Sequence, residues 1–206
     1  MKPSLQNKPV FLALIAVLVS ACSTTQLDSS WKDPSYQQHP SRIMVIGVVK
    51  SPVTRRIFED EFVRQITAHG AEAIPSYSEF PDIQQGNDAA IAERVKQLGA
   101  DTVLITRLVS KKTVQSYVPG TPYFPPMYYG NWPDYYRYGH QVMYTPGSIV
   151  EDEYAVIETN LYAAGNSKLI WAASSQTGLS GSNQQLIKTY VDVMIKNMVG
   201  LGLLNK

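Results

Sequence analysis

The chain has 206 residues, with 18 Lys and Arg against 17 Asp and Glu, so it can bury a core without staples and is too evenly charged to seek nucleic acid. Its single cysteine, Cys22, excludes an intrachain disulfide and leaves one thiol to be explained.

The first residues supply the explanation. Lys2 and Lys8 flank the start of a run of ten apolar residues, Val10 to Val19, and the small residues Ser20 and Ala21 follow. Such a run spans about 15 Å as a helix, half a bilayer's hydrocarbon core, which suits a cleaved export signal over residues 1–21 better than a spanning anchor. Val19-Ser20-Ala21-Cys22 resembles the lipobox of bacterial lipoproteins, with Val where Leu is commoner. That resemblance implies cleavage before Cys22, lipidation of its thiol and acylation of the new N-terminus, with palmitate among the expected lipid groups. Each buried methylene contributes ~0.8 kcal/mol, so two or three chains hold firmly where one does not. Ser23, in place of the Asp that resembles an inner-membrane retention signal, implies the periplasmic face of the outer membrane.

Residues 22–41 are rich in Ser, Thr, Gln, Asp and Pro and read as a lipidated N-terminus with a flexible tether, in which Trp31 packs on the domain edge. A single α/β domain over 42–206 is expected next. Ile43 to Val49 is a continuous, largely β-branched run, as in a strand buried on both faces. Thr54 is placed to cap a helix with the stripe Ile57, Phe58, Phe62 and Ile66, which Gly70 ends. A short strand over 71–75, a second helix with Ile91, Val95 and Leu98, and a strand over 102–109 follow. Strand–helix–strand–helix–strand at this spacing predicts parallel pairing through right-handed crossovers. The alternation over 150–162, the turn at Gly165-Asn166 and the run 168–177 predict a β-hairpin. A last helix, capped by Asn183, carries Ile187, Tyr190, Val191, Met194 and Met198. The sum is a two- or three-layer domain with a mixed five-stranded sheet and three helices.

Trp31-Lys32-Asp33-Pro34, the RIMVIGVV strand, Arg55-Arg56 with Glu59-Asp60, Gly99-Ala100-Asp101 and Leu169-Ile170-Trp171 resemble small Gram-negative outer-membrane lipoproteins of unknown function. The element order is also similar to the periplasmic domain of the curli-secretion pore lipoprotein and to the N-terminal domain of the Tol-system propeller protein. The pore family's membrane-spanning hairpins have no counterpart here, and a shared fold does not transfer function.

The most unusual segment is the insertion at 117–147. Residues 117–144 hold eight of the thirteen tyrosines and, formally, only the charges of Asp134 and Arg137. Its prolines block helix and central strand, so a long loop is expected, and its aromatic content argues against disorder. Tyr rings present an apolar face with a polar tip, which suits peptide docking, sugar stacking or a membrane interface. Candidate contact residues are Tyr123, Tyr128, Tyr129, Trp132, Tyr135, Tyr136 and Tyr138. The alternative is a loop that folds over its own sheet.

Arg55 and Arg56 fall in the first turn of a helix, where free N–H groups and two guanidinium ions could hold an anion; i,i+4 pairing with Glu59 and Asp60 is the competing arrangement. Glu151-Asp152-Glu153 opens a strand, where successive side chains point to opposite faces and do not converge on a cation. His39, His69 and His140 lack metal-ligand spacing, and no phosphate loop, dinucleotide fingerprint, nucleophile elbow or zinc-hydrolase motif occurs. No metal or cofactor is expected. The sequence thus predicts a non-enzymatic cell-envelope lipoprotein, held to a membrane through lipid on Cys22, that presents a Tyr/Pro-rich loop to an envelope protein. The alternatives are a peptidoglycan- or glycan-binding module and a periplasmic hydrolase with carboxylates assembled from distant strands.

Overall fold

The computed structural model describes residues 25–81, 88–120, 122–123, 143–144 and 146–206. In chain order the elements are β1 (Thr25–Lys32), β2 (Arg42–Val48), α1 (Pro52–Ala68), β3 (Glu72–Pro75), α2 (Ser76–Glu79), α3 (Asp88–Gln97), β4 (Thr102–Val118), β5 (Pro122–Tyr123), β6 (Met143–Tyr144), β7 (Ser148–Ala163), β8 (Leu169–Gly178) and α4 (Asn183–Gly200). One sheet has the order β1-β8-β7-β4-β2-β3, and β5 pairs with β6 separately. The β3-β2-β4 half is parallel and the β4-β7-β8-β1 half antiparallel.

The α/β class and the mixed sheet agree with the sequence reading, but the main sheet has six strands and four helices occur among the described residues. The added strand comes from the stretch read as a tether. Thr25–Lys32 runs antiparallel to β8, from Thr25 opposite Thr177 to Lys32 opposite Trp171. Its composition looks like a linker because an edge strand exposes one side and most of its side chains to water. The next residues are fastened too. Lys32 Nζ donates to the Leu201 carbonyl at the C-terminal end of α4 (2.9 Å), where a cation suits the helix dipole. Asp33 accepts from the Ser35 hydroxyl and N–H and pairs with Lys168 at 2.7 Å, which lowers its carboxyl from 3.8 to about 2.

The core lies mainly on one face. Ile43, Val45, Leu104, Leu161, Trp171 and Ala173 meet Phe58, Phe62 and Ile66 of α1 and Tyr190, Val191, Met194 and Met198 of α4. Ile57, placed on the same stripe by the sequence, is instead among the exposed apolar residues. On the opposite face, α3 brings Val95 against Met44 and Ile46. The molecule is therefore three-layered over β2 and β4 and two-layered toward β8 and β1. The first helix is capped by Ser51, whose Oγ accepts from Thr54 N–H, with Pro52 at its start, and the last by Ser182. Each cap lies before the residue expected from sequence, because both Thr54 and Asn183 already have helical backbones.

Candidate functional site

The expected loop at 117–147 is partly strand. Among the described residues, β4 and β7 pair without a third strand far beyond the sheet: β2 follows β4 only to Arg107 and β8 follows β7 only to Tyr154, yet the β4–β7 ladder continues to Val118 opposite Ser148. Leu179 N–H still bonds the Glu153 carbonyl, and the five rungs from Val114/Asp152 to Val118/Ser148 then form a two-stranded arm about 16 Å long at ~3.3 Å per residue. A one-residue irregularity between Leu108 and Ser110 marks where β4 leaves the sheet, as bulges do where a strand must bend and twist. Further out, Pro122 and Tyr123 pair with Tyr144 and Met143. The sequence missed the arm because its polar and apolar residues alternate weakly; the register comes from the partner strand.

Tyr123 lies in β5, whereas Tyr128, Tyr129, Trp132, Tyr135, Tyr136, Tyr138 and Cys22 fall outside the described residues. Along the arm, Val114, Val118 and Val150 share one side, and Tyr117 and Ile149 form a cross-strand pair on the other, all well exposed. Tyr117 folds its ring over Gly147, where an added Cβ would lie 2.3 Å from the phenol oxygen, so the turn backbone passes close under the ring. Glu151 accepts from Gln115 Nε2, and among the described residues no group of three His, Cys, Asp or Glu side chains could hold a metal ion.

Arg55 and Arg56 do not come together as an anion cradle. Arg55 is buried, with Nε on Glu59 Oε1 (2.9 Å), one terminal nitrogen on Ser76 Oγ (2.7 Å) and the other on the Pro81 carbonyl (3.2 Å). Glu59 is fully buried and also accepts from Gly47 N–H, Ser76 Oγ–H and Tyr77 N–H. All guanidinium nitrogens of Arg55 are engaged, and the Arg55–Glu59 pair clamps α1 to α2 through Ser76 and Tyr77 and to β2 through Gly47. Arg56 instead lies over the Tyr77 ring, 5.4 Å from its centre, while Tyr77 donates to Asp60. Of the two expected ion pairs, Arg55–Glu59 forms and Asp60 takes the phenol.

Where the arm leaves the sheet, a mostly apolar crevice of about 200 Å³ opens between the N-terminal ends of α1 and α4, lined by Phe58, Leu108, Ile157, Leu179, Leu186 and Ile187. Its floor carries a chain of hydroxyls, Thr106 to Thr159 (2.7 Å) and Thr159 to Tyr190. Burial pushes the Tyr190 phenol well above its ordinary value against the opposing effect of those hydroxyls, so it stays neutral.

On the uncovered side of β7, β8 and β1, Trp31 stands 48% exposed beside Ser29, Glu158, Asn160 and Ser174 in a shallow groove. This neighbourhood was invisible in sequence, because it depends on the pairing of β1 with β8.

No family model matches the chain, and no curated protein matches it. Among solved structures it is similar to a dodecamer of a point variant of PelC from Paraburkholderia phytofirmans (12% identity, 83% of this chain and 96% of that chain, TM-score 0.46). A second PelC dodecamer structure from that organism matches at 12% identity over 88% of this chain and 99% of that one, with a TM-score of 0.45. Lipoprotein GNA1162 from Neisseria meningitidis matches at 13% identity over 78% of this chain and 99% of that one, with a TM-score of 0.42.

Proposed function

We propose that this chain is a non-enzymatic lipoprotein of the cell envelope, anchored by lipid on Cys22 at the periplasmic face of the outer membrane, that uses its arm to offer the Tyr/Pro-rich segment to an envelope protein. The observation that carries the reading is the unaccompanied β4–β7 ladder, which holds the stems of that segment several rungs past the last strand of the sheet. A segment serving only to cover its own sheet needs no such stalk. The export signal and lipobox support the location.

The test is removal of residues 119–145, which leaves Pro146-Gly147 to connect Val118 to Ser148. The shortened protein is expected to fold, to fractionate with the outer membrane and to lose complexes formed by the full chain. A variant that unfolds would instead assign the segment to the core.

A second reading, glycan binding, gains one specific observation: a half-exposed Trp among an amide, a carboxylate and hydroxyls, the group types that stack on and bond to sugars. Retention on purified sacculi that Trp31→Ala abolishes would support it; equal retention of both proteins would end it.

A further inference from the structure

We infer that the outer end of the arm, built from Val114, Tyr117, Val118, Ile149 and Val150, seats on the surface of the lipid bilayer that holds the anchor. The inference rests on the lipoprotein reading above and adds where the arm lies.

Strand direction places the arm and the start of β1 on the same side of the domain. β1 is antiparallel to β8, which is antiparallel to β7, so β1 and β7 run the same way, and the chain enters β1 from the side toward which the arm projects. Thr25 sits level with Thr177, Ala155 and Lys111. From that level the arm continues seven rungs, to Val118 and Ser148, a rise of about 23 Å. Twist between strands and the bend at the Leu108/Ser110 irregularity turn the arm from the β1 direction, so its forward reach is shorter than that rise. Cys22 precedes Thr25 by three residues, which extend ~10 Å at most. A forward reach of more than ~10 Å, under half of the arm's rise, is enough for its end to meet a bilayer toward which the start of β1 points.

The chemistry of the arm's end fits that contact. The last three rungs of the β4–β7 ladder, Ser116/Val150, Tyr117/Ile149 and Val118/Ser148, carry no charge, and Tyr117 and Ile149 are 67% and 65% exposed. Apolar side chains on both sides of a ribbon have no core to enter, and a Tyr beside them suits the headgroup level. Two features limit the depth. Glu151, Asp152 and Glu153 begin one rung further in, and among the described residues no further strand lies along either ribbon edge to satisfy its backbone groups in hydrocarbon. The contact is thus with the interface rather than the bilayer core.

The test uses the full chain, lipidated in a bacterial host and reconstituted in phosphatidylcholine vesicles. Lipid consumes Cys22, so an introduced cysteine is the only thiol for a nitroxide label. Labels at Ile149→Cys and, independently, Val118→Cys are expected to collide with dissolved oxygen several-fold more, relative to a water-soluble nickel chelate, than a label at Lys111→Cys. Equal nickel access at all three sites in protein that floats with the vesicles would overturn the lipid contact and leave the anchor standing. Shielding from both reagents would mean a contact with a second copy, and also overturns it. Protein that does not float would overturn the lipoprotein reading and this inference with it.

Discussion

Replacing Glu59 by Ala probes the clamp that fixes the arm side of the domain. Its carboxylate is fully buried and accepts from Gly47 N–H (2.9 Å), Arg55 Nε–H (2.9 Å), Ser76 Oγ–H (2.8 Å) and Tyr77 N–H (2.9 Å). Removing it leaves Arg55, whose side chain is 7% exposed, as a buried cation without a counter-ion. Breaking a buried pair from one side costs about 3–5 kcal/mol. For a domain of this size each kcal/mol moves the melting midpoint ~2–4 °C, so a fall of about 6–20 °C is expected. Urea titration at neutral pH of the chain beginning at Ser23, followed by circular dichroism, measures the free energy. The double variant Arg55→Met/Glu59→Leu removes both charges and should be more stable than Glu59→Ala, though below the parent because Gly47 and Tyr77 lose their acceptor. A Glu59→Ala loss under about 1 kcal/mol, or a double variant worse than the single one, would refute the clamp.

Gly47→Ala places a Cβ 3.1 Å from Phe58 Cδ1 and 3.5 Å from Glu59 Oε1, so overpacking should cost about 1–3 kcal/mol in the same titration; an unchanged midpoint would mean that the Phe58 ring yields freely. Asp33 has a folded-state value near 2 against an ordinary 3.8, lowered first by Lys168 and then by Ser35. Its contribution is therefore complete above about pH 4 and lost as the pH falls through 2, so Asp33→Asn should flatten the stability profile in that window alone. A variant profile parallel to the parent's would contradict the pairing. The 119–145 deletion is expected to retain the parent's melting midpoint, since the strands it joins, β4 and β7, are held by their own ladder and the core residues all lie outside it.

Where burial dictates residue type, the fold was readable from the chain. The run Ile43 to Ile46 is buried on both faces of β2, and Phe58, Phe62 and Ile66 recur at helical spacing because α1 presents one side to the sheet. Elements whose partners lie far away in sequence were not readable. Thr25–Lys32 has the polar character of an edge, and its place is fixed by β8 nearly 150 residues later, as the bond between Thr25 and Thr177 shows. Likewise Ser110–Val118 is strand only because Ser148–Val156 lies opposite, and the proline signal further out masked it. At the candidate site, the i,i+4 spacing announced Arg55–Glu59, but Ser76, Tyr77 and Gly47, which complete the clamp, are brought in by tertiary packing. Trp31, read as packing on the domain edge from a tether, instead stands half-exposed in the edge strand β1, and its polar neighbours on β7 and β8 emerged only from the register.

Whether the arm presents its segment to a partner is decided by in-cell photo-crosslinking from Tyr129 and Tyr136, each replaced by a photoreactive phenylalanine, with the lipid anchor intact. A partner-presenting arm predicts a discrete heavy adduct from at least one position, of a mass that identifies an envelope protein and absent without irradiation. No adduct, together with resistance of residues 119–147 to added protease in the purified protein, would contradict that role and return the segment to its own domain.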